Sequence, residues 1–464
     1  MQALALAPSA SAMADLEPPP APMVPQQRAT ISPARMTLLF MVMLTTAAGN
    51  TAMQSVMPSI GTKLGVADVW ISLAYTWSAL LWVICAPLWA KRSDRRGRKA
   101  MMALGLIGFS LSFGLCGAVV VAGLEGLIGA GLTLGLFAAG RSLYGGFGSA
   151  APPAVQAYVA SRTPRADRTR ALALLASSFG LGTVIGPAIA PLLIFPNASG
   201  LAGPFFVFAL FGLLVLAALR LRLPDDDPTF AARGQVTAAP FSASAGGNPG
   251  ARGSEIDEDP GPIPDLHWRD RRLRPWLIAG LVGGHAQAAL LGLAGFFVLD
   301  RLGLRGDPGA GAGPVGTVLM AGALATLVAQ WGLIPHLNLG PRTSVLAGMA
   351  LALAGTACFA FAYDLHTIAL GFALASMGFG LYRPGFTAGA SLAVTRAEQG
   401  QVGGIVASLN GAAYIFAPAL GVWLYNHHEG IGFAAIAGLC AGLLGWGWRA
   451  LDSDSALEST RPAP

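Results

Sequence analysis

Charge is what this chain has little of: Asp, Glu, Lys and Arg make up 11% of its 464 residues, where a soluble globular protein carries about 25%. A polypeptide of this length cannot cover a water-facing surface with so few ionic groups, so folding of the whole chain in water is excluded. Cysteine is almost as scarce. The four, Cys85, Cys116, Cys358 and Cys440, lie in apolar runs and form no CxxC or Cys/His grouping. That excludes a disulfide framework and a metal site and leaves small packed hydrophobes. No G-x-x-x-x-G-K-[ST] phosphate loop occurs, which excludes ATP as the energy source. The first 35 residues have no basic segment ahead of an apolar core; their first charge is Asp15 and their apolar run breaks at Pro8. They read as a disordered cytoplasmic tail and not as a secretory signal.

What the chain has instead is apolar length and glycine. Its 61 glycines are close to twice the usual share of about 7%, as expected where small residues let helix backbones approach within lipid. A membrane-crossing helix needs about 20 mostly apolar residues. Such segments fall at 36–57, 70–89, 100–121, 132–158, 171–193 and 203–222, and again at 275–299, 313–334, 343–363, 367–393, 402–425 and 430–449. Residues 122–134 leave the join between the third and fourth ambiguous. The fold class is an all-α membrane protein with twelve transmembrane helices in two six-helix bundles, 36–222 and 275–449. Residues 223–274, rich in Pro, Gly, Ala, Ser and Asp, form a cytoplasmic linker between them, and 450–464 a cytoplasmic C-terminal tail.

Lys and Arg mark the cytoplasmic face. With the N-terminus inside, the outer loops hold only Lys63, Arg301 and Arg305, and Arg141 and Arg383 lie within spans. The remaining basic residues fall on the inner side, so both termini are cytoplasmic and the net charge of +6 reflects topology, with no nucleic-acid partner. The halves also share a register. "ASSFGLGTVIGPAIAP" (176–191) matches "ASLNGAAYIFAPALGV" (407–422) at five positions, including Pro187/Pro418, and the same offset relates Pro153 to Pro384. Two such halves with a pocket at their interface are the architecture of alternating-access transporters.

Three motifs carry a resemblance. "WAKRSDRRGRKAMM" (89–102) packs six cations around Asp94, and its Asp94-Arg95-Arg96-Gly97-Arg98-Lys99 core resembles the D-R-x-G-R-K loop between helices two and three of the major facilitator superfamily. "GTVIGPAIA" (182–190) resembles the G-x-x-x-G-P motif of its drug/proton antiporters, and "RSLYGGFGSAA" (141–151) is similar, more loosely, to its helix-four pattern. The chain departs from the family at Ala90, at Ala190-Pro191, and in the second half, where the loop motif has become "IPHLNLGPRTS" with no acid. The resemblance implies a gate on the cytoplasmic side built from Asp94, Arg95, Gly97, Arg98 and Lys99. It also implies a conformational role for Gly182, Gly186 and Pro187, with a bulky residue at Gly186 expected to wedge the halves apart.

Arg141 and Arg383 stand out on physical grounds alone. An Arg at mid-membrane costs about 2.5–3.5 kcal/mol on insertion scales, so it faces a watery cavity or a partner. Either one or both line a central cavity, to bind an anionic or acceptor-rich substrate or to relay the effect of a proton, or carbonyls freed near Pro152, Pro153 or Pro384 satisfy them. Asn50, Gln54, Gln287, Gln330, Tyr382, Asn410 and Tyr414 are further polar candidates for the cavity or for helix-to-helix hydrogen bonds. Antiporters of the family usually embed an acid for proton exchange. No span here carries one near its middle, and Asn50 is an amide where many relatives are acidic. The titratable candidate is His285 in "LVGGHAQAALLG", because imidazole exchanges a proton near neutral pH.

The expected function is secondary active transport of small organic molecules across the inner (plasma) membrane, as proton-coupled efflux by a monomer. The alternative is proton-coupled uptake of an anionic metabolite or siderophore-type compound, and a non-transporting receptor or scaffold is more distant. No catalytic residue, metal or cofactor is expected, because no Ser/His or paired-carboxylate arrangement occurs at membrane depth.

Overall fold

The computed structural model describes residues 31–163, 165–197, 199–224, 266–394 and 399–454. The apolar segments all become helices: α1 (Pro33–Lys63), α2 (Asp68–Arg96), α3 (Arg98–Leu124), α4 (Ala130–Gly146), α5 (Ala151–Arg162), α6 (Arg165–Ile189) and α7 (Gly203–Arg222), then α8 (Arg274–Arg301), α9 (Pro308–Leu327), α10 (Ile334–Leu337), α11 (Pro341–Phe361), α12 (Leu365–Leu392), α13 (Gln399–His427) and α14 (Glu429–Ala450). They form twelve rods, because α4 and α5 are two parts of one and α9 and α10 two parts of another. The ambiguous stretch resolves as α3 ending at Leu124 and α4 starting at Ala130. Nine helical spans are long and apolar enough by themselves to cross a bilayer among the described residues.

Both broken rods have local causes. After α4 the run Gly145-Gly146-Phe147-Gly148 weakens the helix, a 3-10 turn takes Gly148–Ala150, and Pro152 and Pro153 restart it in the first turn of α5, where a missing N–H costs nothing. In the eighth rod a π-helical turn, Val328–Leu333, precedes Pro335 in the first turn of α10. A proline ring would collide with the carbonyl four residues earlier, and the widened turn relieves that clash.

The two sets of six rods mirror each other in packing. In the first, α1 lies along α6 and α3 along α7 and α4; in the second, α8 lies along α13, α12 along α9, and α11 along α12 and α14. Across the set boundary α2 meets α13, and α6 meets α9. These are the second rod against the eleventh and the fifth against the eighth, the pairings that a two-fold relation exchanges. Leu111, Leu115, Leu132, Leu136, Leu210, Leu214, Leu370 and Leu420 are exposed on the outer faces of the rods. So broad an apolar exterior is a lipid-facing surface and would be intolerable in water.

Candidate functional site

Two cavities lie where the sets of rods face each other. The first, about 60 Å³, is lined by Gln54 and Pro58 of α1, Ile71, Ser72 and Tyr75 of α2, residues of α8 between Ala288 and Phe296, Leu319 of α9, and Tyr414 and Pro418 of α13. The second, about 90 Å³, is lined by Thr51 and Gln54 of α1, Thr183 and Pro187 of α6, Gln287 of α8, Gly322 and Thr326 of α9, Gln330 of the π turn, and Phe372, Ser376, Phe379 and Arg383 of α12. Gln54, Leu291 and Leu319 belong to both walls. At about 10–15 Å³ per water by this measure, the larger has room for roughly six to nine waters. Neither lining contains Asp, Glu, Lys or His; Arg383 is the only ionic side chain on either wall among the described residues.

Arg383 is 4% exposed and lies beside Tyr382 and Tyr414. Its Nη1 has no hydrogen-bond acceptor, so carbonyls freed near Pro384 do not saturate the guanidinium. Arg141 is placed differently. It is fully buried and outside both cavity walls, and its Nη2 donates to Asn50 Oδ1 at 2.9 Å. Its guanidinium lies 4.4 Å from the Tyr144 ring centroid and 5.9 Å from that of Phe113, close enough for cation–π attraction. Its Nε and Nη1 have no acceptor. Tyr75, on the wall of the first cavity, stands in its electrostatic reach.

The other sequence candidates divide. Gln54, Gln287, Gln330 and Tyr414 come to the cavity walls together with Arg383. Asn50 is instead the partner of Arg141. Tyr382 is buried and its hydroxyl donates toward Ala279 O at 3.0 Å and Gly280 O at 2.8 Å, tying α12 to α8. Asn410 is half-buried on α13. His285 lies on neither wall, and its Nδ1 is 2.7 Å from Leu281 O, one turn back on its own helix. The hydroxyls of Thr51, Thr183, Thr326 and Ser376 escaped sequence reasoning, because hydroxyl residues are common in lipid-embedded helices and advertise nothing. Thr326 Oγ1, for example, donates to Gly322 O at 3.0 Å and Ser376 O at 3.1 Å.

The loop motif lies at the near end of the bundle, where α1 begins and α14 ends. α2 runs through Arg96, and Gly97 turns the chain with φ 87° and ψ 143° before α3 starts at Arg98; an L-residue is strained there. Arg98 is buried and Lys99 half-buried, while the side chains of Asp94 and Arg95 lie outside the described set. Gly182 and Gly186 pack α6 on α1. A Cβ at Gly182 would meet Ala47 Cβ at 2.7 Å, and one at Gly186 would run into Ala48 O and Thr51 Oγ1. Both contacts are within the first set of rods. A bulky residue at Gly186 therefore parts α6 from α1 and does not act directly between the halves, as the sequence had suggested. Pro187, by contrast, reaches the boundary, where its carbonyl faces Gly316 of α9.

At the far end the sets are joined by ion pairs that the sequence did not reveal. Arg305, after α8, forms a two-pronged pair with Asp68 at the start of α2, at 2.8 and 2.8 Å. It also pairs with Asp300 at 2.6 and 2.9 Å and reaches Thr62 Oγ1 at 3.3 Å. Tyr425 of α13 donates to Asp300 at 2.8 Å, and Arg301 pairs with Glu429 beside them. Planar guanidinium–carboxylate forks of this kind are among the stronger charge-assisted contacts.

The sequence profile of the Major Facilitator Superfamily matches residues 39–418. The chain belongs to this superfamily. Among its relatives is Multidrug resistance protein 1 of Bacillus subtilis, 30% identical over 175 residues, which cover 37% of this chain and 41% of that protein. Multidrug resistance protein 2 of the same organism is 25% identical over 389 residues, 82% of this chain and 86% of the relative. The chain spans about two fifths or less of the length of the first few relatives it matches. The crystal structure of the human organic anion transporter MFSD10 (TETRAN) superposes with a TM-score of 0.59 at 20% identity, covering 91% of this chain and all of that one, which shows a shared fold. The proteins it resembles are named for multidrug resistance and for transport.

Proposed function

We propose that the protein exports small organic molecules across the plasma membrane by alternating access, with both termini in the cytoplasm, and that it works as a monomer. One observation carries the reading: a cavity with an apolar body and a few fixed polar groups lies between two pseudo-symmetric sets of rods, the arrangement expected of a midplane substrate site. Export is supported by the G-x-x-x-G-P match at Gly182, Gly186 and Pro187 and by relatives named for multidrug resistance. In this reading the far-end ion pairs shut the outer mouth, the Asp94 loop latches the inner mouth in the opposite state, and the two alternate. The proton is the coupling ion, and His285 is its candidate carrier.

The test is vesicle transport with a panel of amphipathic dyes and antibiotics. Export predicts that everted vesicles expressing the protein accumulate substrate on energisation, that Asp94→Asn lowers this flux at unchanged expression, and that His285→Ala removes its dependence on a pH gradient. Accumulation by right-side-out cells instead would establish uptake and overturn the direction. No flux in either orientation would overturn transport of this panel.

A further inference from the structure

The membrane-depth interior holds two buried cations and, among the described residues, no acid to balance them. Arg141 has Asn50 and two aromatic rings as partners. Arg383 is different, because it lies on the wall of the larger cavity with Nη1 lacking an acceptor. A guanidinium removed from water is stable only with compensation, and among the described residues the phenols of Tyr382 and Tyr414 are what stands beside Arg383. The rest of the wall is neutral. The amides of Gln54, Gln287 and Gln330 and the hydroxyls of Thr51, Thr183, Thr326 and Ser376 donate hydrogen bonds but bring no charge. Phe372, Phe379, Leu290, Leu291 and Leu319 supply an apolar side.

We propose that this cavity takes small organic monoanions, with the carboxylate or equivalent group seated on Arg383 and the hydrocarbon body against Phe372 and Phe379. The inference rests on the transport reading above and names its substrate class. A planar guanidinium suits a carboxylate, which it meets with two parallel hydrogen bonds. A single unbalanced cation fits a single negative charge, and an organic cation in the same place meets repulsion with no carboxylate to offset it. The choice has an energetic consequence. Each monoanion that leaves carries one negative charge out of the cell, and an inside-negative potential favours that movement by about 2.3 kcal/mol per 100 mV, roughly a fifty-fold concentration ratio. This electrical term adds to the proton coupling of the transport reading and needs no acceptor on the walls themselves, which hold no Asp, Glu or His among the described residues.

The experiment is ligand-induced thermal stabilisation of the purified full-length protein in detergent, with matched sets: benzoate, 3-phenylpropionate and hexanoate, each beside its neutral amide and its primary amine. The expected result is that carboxylates raise the melting temperature while the amides and amines of the same skeleton do not. Arg383→Gln should abolish the shift and Arg383→Lys should keep part of it. Equal stabilisation by amines or amides, no stabilisation by any carboxylate, or a carboxylate shift that survives Arg383→Gln each overturns the proposal. If Arg383→Gln fails to fold, the charge discrimination of the wild-type protein alone decides. Proteoliposomes then add the electrical readout: an imposed inside-negative potassium-diffusion potential should speed loss of the bound carboxylate from the lumen, and indifference to potential overturns the charge movement. Because binding is read without transport, its failure is distinguishable from failure of the export reading, which the vesicle assay reports separately.

Discussion

The buried Arg141–Asn50 pair shows how a single side chain replaces the carboxylate expected at this depth. An amide oxygen accepts from Nη2 but cancels no charge, and the rings of Tyr144 and Phe113 provide the remaining compensation. Asn50→Leu takes away the acceptor and should destabilise the protein by about 1–3 kcal/mol, the usual cost of orphaning a buried donor. Asn50→Asp should melt no lower than wild type. Thermal unfolding in detergent checks both, and an Asn50→Leu protein with wild-type stability would refute the pairing's importance. Arg141 and Arg383 were legible in the sequence because an ion amid apolar residues is conspicuous. Their surroundings were not. Asn50 lies 91 residues from Arg141, and only the packing of α4 near α1 brings them together. For the same reason the sequence could not tell which of the two arginines meets a cavity: Arg383 lies on a wall and Arg141 on neither.

At the scale of the helix, the close contact of α6 with α1 depends on absent side chains. Thr51 Oγ1 donates across the contact to Gly182 O at 3.3 Å, a hydrogen bond that the glycine spacing makes possible. Gly186→Leu should part these helices and cost about 1–3 kcal/mol or more through overpacking, with loss of transport. Gly146→Ala, where an added Cβ meets nothing within 4 Å, should be neutral. A Gly186→Leu protein as stable as the Gly146→Ala protein would contradict the packing assigned to α6. Hydropathy made all twelve rods legible because lipid demands apolar length. It missed how the rods bend, since the 3-10 turn at Gly148–Ala150 follows a short glycine-rich run and the π turn at Val328–Leu333 relieves a clash at one proline. The second break carries Gln330 onto the cavity wall, so a local irregularity helps to furnish the site.

Across the whole molecule, the two sets of rods are pinned at the far end by Asp68, Arg305 and Asp300. Arg305→Ala removes this bridge. It should speed labelling of Ser72→Cys, on the wall of the first cavity, by an impermeant maleimide added from the far side in a Cys358→Ser background. The expected factor is roughly three- to tenfold, which corresponds to about 0.7–1.4 kcal/mol of lost closure; unchanged labelling would mean that the bridge does not hold the mouth shut. Sequence patterning located the cationic loop at the near end because its charges are contiguous. It could not see the far-end bridge, whose members lie 237 residues apart in short connections. The bridge is also incompletely shielded: the side chains of Arg305 and Asp300 are 31% and 38% exposed, against 7% for Asp68. Dissolved ions can therefore compete for it, and at 1 M salt the screening length shrinks to about 3 Å, close to the spacing of the paired charges. On the export reading proposed above, salinity on the outer face would then set how often that mouth opens, and the pace of export would follow the ionic strength of the medium as well as the supply of solute within.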